Sequence, residues 1–195
     1  MKKIILVGGG GHCKSCIDVI EQQGIYEIFG IIDKASMLGK KVLGYEVIGT
    51  DNDLSHFRDK CDYALVTVGQ IRSPELRIAI YAVLKELDFN IPVVLSPLAY
   101  VSKYAVLGQG TIVMHDALVN AEATVGENCI INSQVLVEHN VTIGDHCHIS
   151  TGTILNGDVS VGDGSFIGSG TIVKQGLNVG SKVVVGMGEL LKRDL

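Results

Sequence analysis

The chain has 195 residues, 47% of them hydrophobic and 19% charged, with a formal net charge of −5. That much apolar material excludes a disordered chain and suits one large domain or two small ones. The charge is small and forms no block, which argues against nucleic acid or an anionic membrane as partner, and no apolar run approaches membrane-spanning length.

Met1 to Val7 opens like a secretory leader, but its apolar run stops at Gly8, too early for one. Five cysteines, an odd number without a scaffold pattern, point to reduced thiols, so a cytoplasmic protein is expected. Residues 2–8 read as an apolar strand. Gly8-Gly9-Gly10-Gly11-His12 follows, then a helix from about Cys13 to Gln23, closed by Gly24. Residues 27–33 read as a second strand, ending at Asp33, and residues 61–69 as a third. Pro74 to Leu87 has helical spacing of Leu76, Ile80, Val83, Leu84 and Leu87, and residues 91–95 read as a last strand. Strands alternating with helices imply a small parallel α/β sheet, Rossmann-like, over residues 1–97.

A glycine loop between a first strand and a helix suits a phosphate, because backbone N–H groups approach closely and the helix N-terminus favours negative charge. Asp33 ends the next strand, where an acid can reach a nucleoside. The dinucleotide fingerprint is incomplete: Gly8 and Gly10 fit, but the third glycine position is Cys13. A mononucleotide-like ligand therefore fits better than NAD, and a plain strand-to-helix turn is the competing reading. Cys13-Lys14-Ser15-Cys16 is formally a CxxC at a helix start, but nothing else in the chain resembles a thioredoxin.

Residues 98–195 follow another rule. Divided into sixes from Tyr100, the second residue is Val, Ile or Leu in all fifteen windows, from Val101 to Val185. A helix, with its period of 3.6, cannot produce this; a parallel β-helix can. Gly108, Gly126, Gly144, Gly162 and Gly180 add a period of eighteen, so one coil has three faces. The glycines mark a corner that needs either φ > 0 or close backbone approach. Cys129 and Cys147 share one inward slot and read as core filler.

Four histidines lie on the repeat. His115 and His146 read as solvated surface. His139 has Ala121 one coil earlier and Gly157 one coil later, so small neighbours leave a cleft beside its imidazole. His148 is half a coil away and faces the other side of the prism. The two share a site only if neighbouring subunits bring them together, as a cyclic trimer would. No zinc site is expected: His139 plus five is Gly144, and His146 and His148 point to opposite faces of a strand.

The strand–GGGGH–helix start, the Pro97 junction, the repeat array and the segment from Val137 to His148 resemble the bacterial sugar acyltransferases. That family includes the UDP-amino-sugar N-acetyltransferases of bacillosamine biosynthesis and the sialic acid O-acetyltransferases. The resemblance covers nearly the whole chain and implies a left-handed β-helix, acetyl-CoA as co-substrate, no metal, and a homotrimer with sites between subunits. His139 matches the catalytic base, and Gly157 matches a glycine whose N–H holds the thioester oxygen as it becomes an oxyanion. His148, Ser169 and Met187 match coenzyme contacts. Gly8, Gly10, Gly11, His12, Asp33 and Gly69 match the nucleotide-sugar side.

Three departures from the family stand out. Its acidic residue after the base is Asn140 here, with Glu138 as the alternative orienting acid. Its acidic pair is reduced to Asp33-Lys34, which weakens the uridine inference. The chain ends at Leu195, before the family's proline-containing tail, so weaker coenzyme binding or a rearranged coenzyme contact is expected. The expected activity is N-acetylation of a UDP-linked amino-deoxy sugar for glycan or nonulosonic acid synthesis. The rivals are O-acetylation of a sialic-acid-like sugar and a non-catalytic ligand-binding or scaffolding trimer.

Overall fold

The computed structural model describes residues 1–195 and divides them into two units. The first comprises residues 1–69 and 75–92; the second comprises residues 70–74 and 93–195.

In the first unit, β1 (Lys2–Val7) is the hydrophobic centre, with Ile4, Ile5 and Leu6 fully buried. It pairs in parallel with β2 (Tyr26–Ile32) on one side and with a short strand at Tyr63–Val66 on the other. Between them α1 (Gly11–Gln23) buries Cys13, Cys16, Ile17 and Ile20 and ends at Gly24. Gly24 takes φ +67° and donates its N–H to the Ile20 carbonyl, a cap that a Cβ would strain.

The sheet is larger than the sequence suggests. A hairpin of β3 (Lys41–Val42) and β4 (Tyr45–Gly49) adds to the far edge of β2, and a short helix, α2 (Leu54–Arg58), precedes β5 (Tyr63–Val66). The hairpin turn is Leu43-Gly44, both with positive φ, as in a type I′ turn. Leucine in the position usually held by Asn or Asp hides the turn signal. The last helix, α3 (Glu75–Glu86), buries Arg77, which donates to the carbonyls of Val66 and Val68 and so pins the end of β5.

The second unit is the left-handed parallel β-helix. Seventeen two-residue strands recur every six residues from Val94–Leu95 to Leu190–Leu191 and stack into three parallel sheets of six, five and six strands. Val94–Leu95 pairs with Ile112–Val113, so it is the first rung of the prism and not the last strand of the α/β sheet. The division thus falls at Pro92, five residues before Pro97. The second residue of each strand points inward; Val119, Val137, Ile149, Leu155, Ile167 and Val173 are fully buried.

Every sixth residue from Gly110 to Gly188 has positive φ and turns the chain through a corner. The glycines at the eighteen-residue period do something else. None of Gly108, Gly126, Gly144 and Gly162 has left-handed φ, but a Cβ on Gly126 would lie 2.7 Å from both Asp145 N and Gly144 C. Close approach of successive coils is what they serve. The small inward slot carries a hydrogen-bonded ladder. Thr111 Oγ1 donates to the Gly126 carbonyl at 2.8 Å and accepts from Cys129 N at 2.9 Å. Cys129 and Cys147 donate to the carbonyls of Gly144 and Gly162 at 3.1 and 3.2 Å, and Ser165 to that of Gly180 at 2.7 Å. Filling the slot with small donors satisfies carbonyls that the corner would otherwise strand.

No helix is long and apolar enough to cross a membrane.

Candidate active site

His139 and Asn140 form the turn between the strands Leu136–Val137 and Thr142–Ile143. Asn140 holds the left-handed position, φ +62°, where Asn is among the best-tolerated residues with a side chain. Its side-chain carbonyl lies 3.2 Å from His139 Nδ1. A carbonyl only accepts, so Nδ1 carries the proton and Nε2 is left as a base. Glu138 does not take this part: its carboxylate accepts from Asn120 Nδ2 at 2.8 Å and from the backbone N–H of His139 at 3.3 Å.

The imidazole lies against Gly157 of the next coil. A Cβ there would be 2.6 Å from His139 Cε1 and 2.9 Å from Nε2, so no side chain fits. The N–H groups of the stacked slots differ. At 121 and 139 each is capped by the preceding side chain, Asn120 and Glu138. At 157 the preceding Asn156 turns away to donate to the Val173 carbonyl at 2.7 Å, and the Gly157 N–H meets no acceptor in the protein. A cavity of about 350 Å³ opens there, lined by Glu138, His139, Asn156, Gly157, Asp158 and Gln175. A base and an open N–H thus stand beside one another on a corner of the prism.

Ser169 and Met187 lie in stacked turns at another corner, between the strands Phe166–Ile167 and Ile172–Val173 and their successors one coil on. Ser169 Oγ is 2.8 Å from Ser150 Oγ, and Met187 is exposed. His148 does not join either turn. It sits on the strand His148–Ile149, 7% exposed, its ring edge-on to Phe166.

A second cavity, of about 500 Å³, belongs to the α/β unit. Gly8, Gly10, Asp33 and Gly69 line it; Gly11 and His12 stand in the first turn of α1 outside the lining. Gly8 takes φ +110°, and a Cβ on it would collide with Val68. Gly10 and Gly11 face open space, and no side chain caps α1, which leaves the helix N-terminus open to an anion. Asp33 holds the loop: one carboxylate oxygen accepts from Gly9 N at 2.7 Å, the other from Lys34 N at 2.6 Å.

Lys34 also lines it, as do Met37 and Asp51, which the sequence reading did not single out. The available signal for Asp51 was Thr50-Asp51-Asn52-Asp53, a capping box placed directly after a parallel strand, where α/β sheets bind ligands. The CxxC pair lies apart from this chemistry. Burial pushes the Cys13 thiol up to about 11 and that of Cys16 higher still, so neither is a ready thiolate.

Fold and site together define a hexapeptide-repeat transferase joined to an α/β unit with a glycine-loop cavity. Residues 3–84 match the PglD N-terminal domain, and residues 123–157 and 140–175 match the bacterial transferase hexapeptide (six repeats). The acetyltransferase domain of PglB from Neisseria gonorrhoeae, in complex with acetyl coenzyme A, is similar at 31% identity and a TM-score of 0.93, over 100% of this chain and 92% of that one. PerB from Caulobacter crescentus, in complex with CoA and GDP-perosamine, is similar at 32% identity and a TM-score of 0.93, over 100% and 91%. WeeI from Acinetobacter baumannii shares the fold at 18% identity and a TM-score of 0.74, over 98% and 95%. Comparison with curated proteins gives no match. The chain belongs to the bacterial sugar acyltransferases that join a PglD-type N-terminal domain to hexapeptide repeats.

Proposed function

We propose that this acyltransferase moves the acetyl group of acetyl-CoA to the amine of an amino-deoxy sugar carried on a nucleoside diphosphate. One observation carries the chemistry: the His139 imidazole rests on Gly157, whose backbone N–H has no acceptor in the protein. In the reaction His139 Nε2 takes a proton as the sugar nitrogen attacks the thioester carbon. The carbonyl oxygen gains the negative charge and accepts from the Gly157 N–H. The C–S bond then breaks, and the proton held by His139 leaves with the coenzyme thiolate. Asn140 keeps Nδ1 protonated throughout, and Glu138 fixes the backbone of the turn.

Ser169 and Met187 supply coenzyme contacts in this scheme. Gly8, Gly10, Gly11, His12, Asp33 and Gly69 form the nucleotide side, with the diphosphate at the N-terminus of α1. The nucleotide is UDP or GDP: the family resemblance points to the first, and PerB, similar over the whole chain, binds GDP-perosamine.

The faces of the prism support a trimer. The outward residues of one sheet are apolar on all six rungs: Tyr100, Leu118, Leu136, Ile154, Ile172 and Leu190. The same column on the next sheet contains Thr124, Thr142, Ser160 and Asn178. The His139 and Gly157 turns follow strands of the apolar sheet, whereas the Ser169 and Met187 turns precede them, so base and coenzyme contacts flank it on opposite edges. One protomer cannot fold these edges together. Head-to-tail contact around a threefold axis joins one copy's edge to the next copy's opposite edge and closes. Five free, buried cysteines agree with a cytoplasmic setting.

Thiol release from acetyl-CoA, measured with GDP- and UDP-linked amino sugars, tests the reading. His139→Ala is expected to lower kcat by at least about a hundredfold. An unchanged rate would remove His139 from the mechanism, and release with a sialic-acid-like acceptor alone would favour O-acetylation.

A further inference from the structure

Two carboxylates line the cavity of the α/β unit, Asp33 and Asp51. They differ in what they already hold. Asp33 is committed to the backbone through both oxygens, which accept from Gly9 N at 2.7 Å and from Lys34 N at 2.6 Å. The capping box that follows β4 is built by Asp53, whose Oδ2 accepts from the N–H and the hydroxyl of Thr50, each at 2.8 Å. Asp51 takes no part in that box, and its carboxylate has no donor within the protein.

Asp51 also stands at a junction. A smaller slot, of about 130 Å³, shares Asp51, Leu76 and Ile80 with the main cavity and adds Leu54, Ala79 and Val83. Its walls come from α2 and α3 and are apolar throughout; Asp51 is the one polar residue of the lining. Apolar walls with a single carboxylate suit a flat heterocycle that presents N–H groups along one edge.

The four bases differ on such an edge. Guanine offers two adjacent donors, N1–H and the N2 amine, which one carboxylate accepts together in a bidentate pair. Uracil offers only N3–H, flanked by two carbonyl oxygens that a carboxylate repels. Adenine and cytosine each set an amine beside a bare ring nitrogen, again an acceptor facing an acceptor. Lys34 is the one cation of the cavity lining and suits the O6 of guanine, but the carbonyls of uracil would use it equally. Discrimination therefore lies with Asp51. We infer that Asp51 is a specificity-determining residue: its carboxylate accepts from N1–H and the N2 amine of a guanine seated in the slot, and the acceptor sugar is carried on GDP. This rests on the proposed acyltransferase reading and chooses between its two nucleotides.

GDP, UDP and inosine diphosphate, which differs from GDP only in lacking the N2 amine, are titrated separately into the full-length protein by calorimetry. GDP is expected to bind about tenfold more tightly than inosine diphosphate, the effect of one hydrogen bond to a charged group, and at least about tenfold more tightly than UDP. In Asp51→Ala the ratio of GDP to inosine diphosphate affinity falls to about one, while UDP affinity stays nearly unchanged. The melting temperature also stays unchanged, because the Thr50–Asp53 box remains. Ala79→Leu fills the slot and weakens GDP more than UDP; with the wild-type ratios it carries the test should Asp51→Ala fail to fold. Equal wild-type affinity for GDP and inosine diphosphate, tighter binding of UDP, or a ratio that survives Asp51→Ala overturns the inference. Binding of none of the three nucleotides sinks the functional reading as well. Acetyl transfer to a UDP-linked amino sugar and not to its GDP-linked counterpart keeps that reading and sinks the inference alone.

Discussion

The two units use glycine for different ends. In the β-helix each residue has equivalents eighteen positions away, so a slot that departs from its column stands out. Gly157 lies where the same column carries Ala121 and His139, and its N–H is uncapped where theirs are capped. In the α/β unit nothing repeats. Gly8 and Gly24 are needed for their backbone angles, Gly9 lies against the Asp33 carboxylate, and Gly10 and Gly11 face open space. Where structure is periodic, chemistry shows as an exception; where it is not, the same residue type has to be judged one position at a time.

The sharpest way to break this comparison is to make one substitution in both units. Gly157→Ala puts a methyl group 2.6 Å from His139 Cε1 and displaces the base. The expected loss in kcat is about 10²–10³, with the melting temperature nearly unchanged. Gly10→Ala meets open space and should raise only KM for the nucleotide sugar, by a few-fold at most. Equal effects of the two would mean that the stacking on Gly157 is incidental.

Within the β-helix the two kinds of glycine can be set against each other. Gly126→Ala drives a Cβ into the backbone of the next coil and should cost about 1–3 kcal/mol or more in urea unfolding. Gly152→Ala has open space but φ +67°, and should cost only about 1 kcal/mol. A larger loss at 152 would give corner angle priority over coil spacing.

Asn140→Ala should lower kcat about tenfold by freeing the imidazole, and Asn140→Asp should restore it, since both Asn and Asp accept from Nδ1 and tolerate the left-handed turn. The smallest effect is an absence. All five cysteines are buried, and burial pushes the Cys13 thiol up to about 11, so a thiol reagent at pH 8 should label none in the native protein and all five in denaturant. Rapid native labelling of Cys13 or Cys16 would reopen the redox reading of the CxxC.

The legibility of the sequence follows the same division. The run of Val, Ile and Leu at every sixth position specified the prism, and Ala121-His139-Gly157 specified the cleft, because both are properties of spacing. Three things escaped. The hairpin at Leu43-Gly44 uses an atypical turn residue. Asp51 enters the cavity from a turn with no periodic signal. The engagement of His148 by Gln70 joins residues 78 apart in sequence. The glycine period was legible, but its cause was not: only coordinates separate crowding from backbone handedness.

The turns of His139 and Gly157 follow the third and fourth of six rungs on their face. In a stack where each level is held only by those above and below, opening begins at the ends and works inward. Warming should therefore fray the outer coils first, and amide exchange should reach the central turns last. The His139 and Gly157 turns thus stand at the point along the prism axis that thermal motion should loosen least.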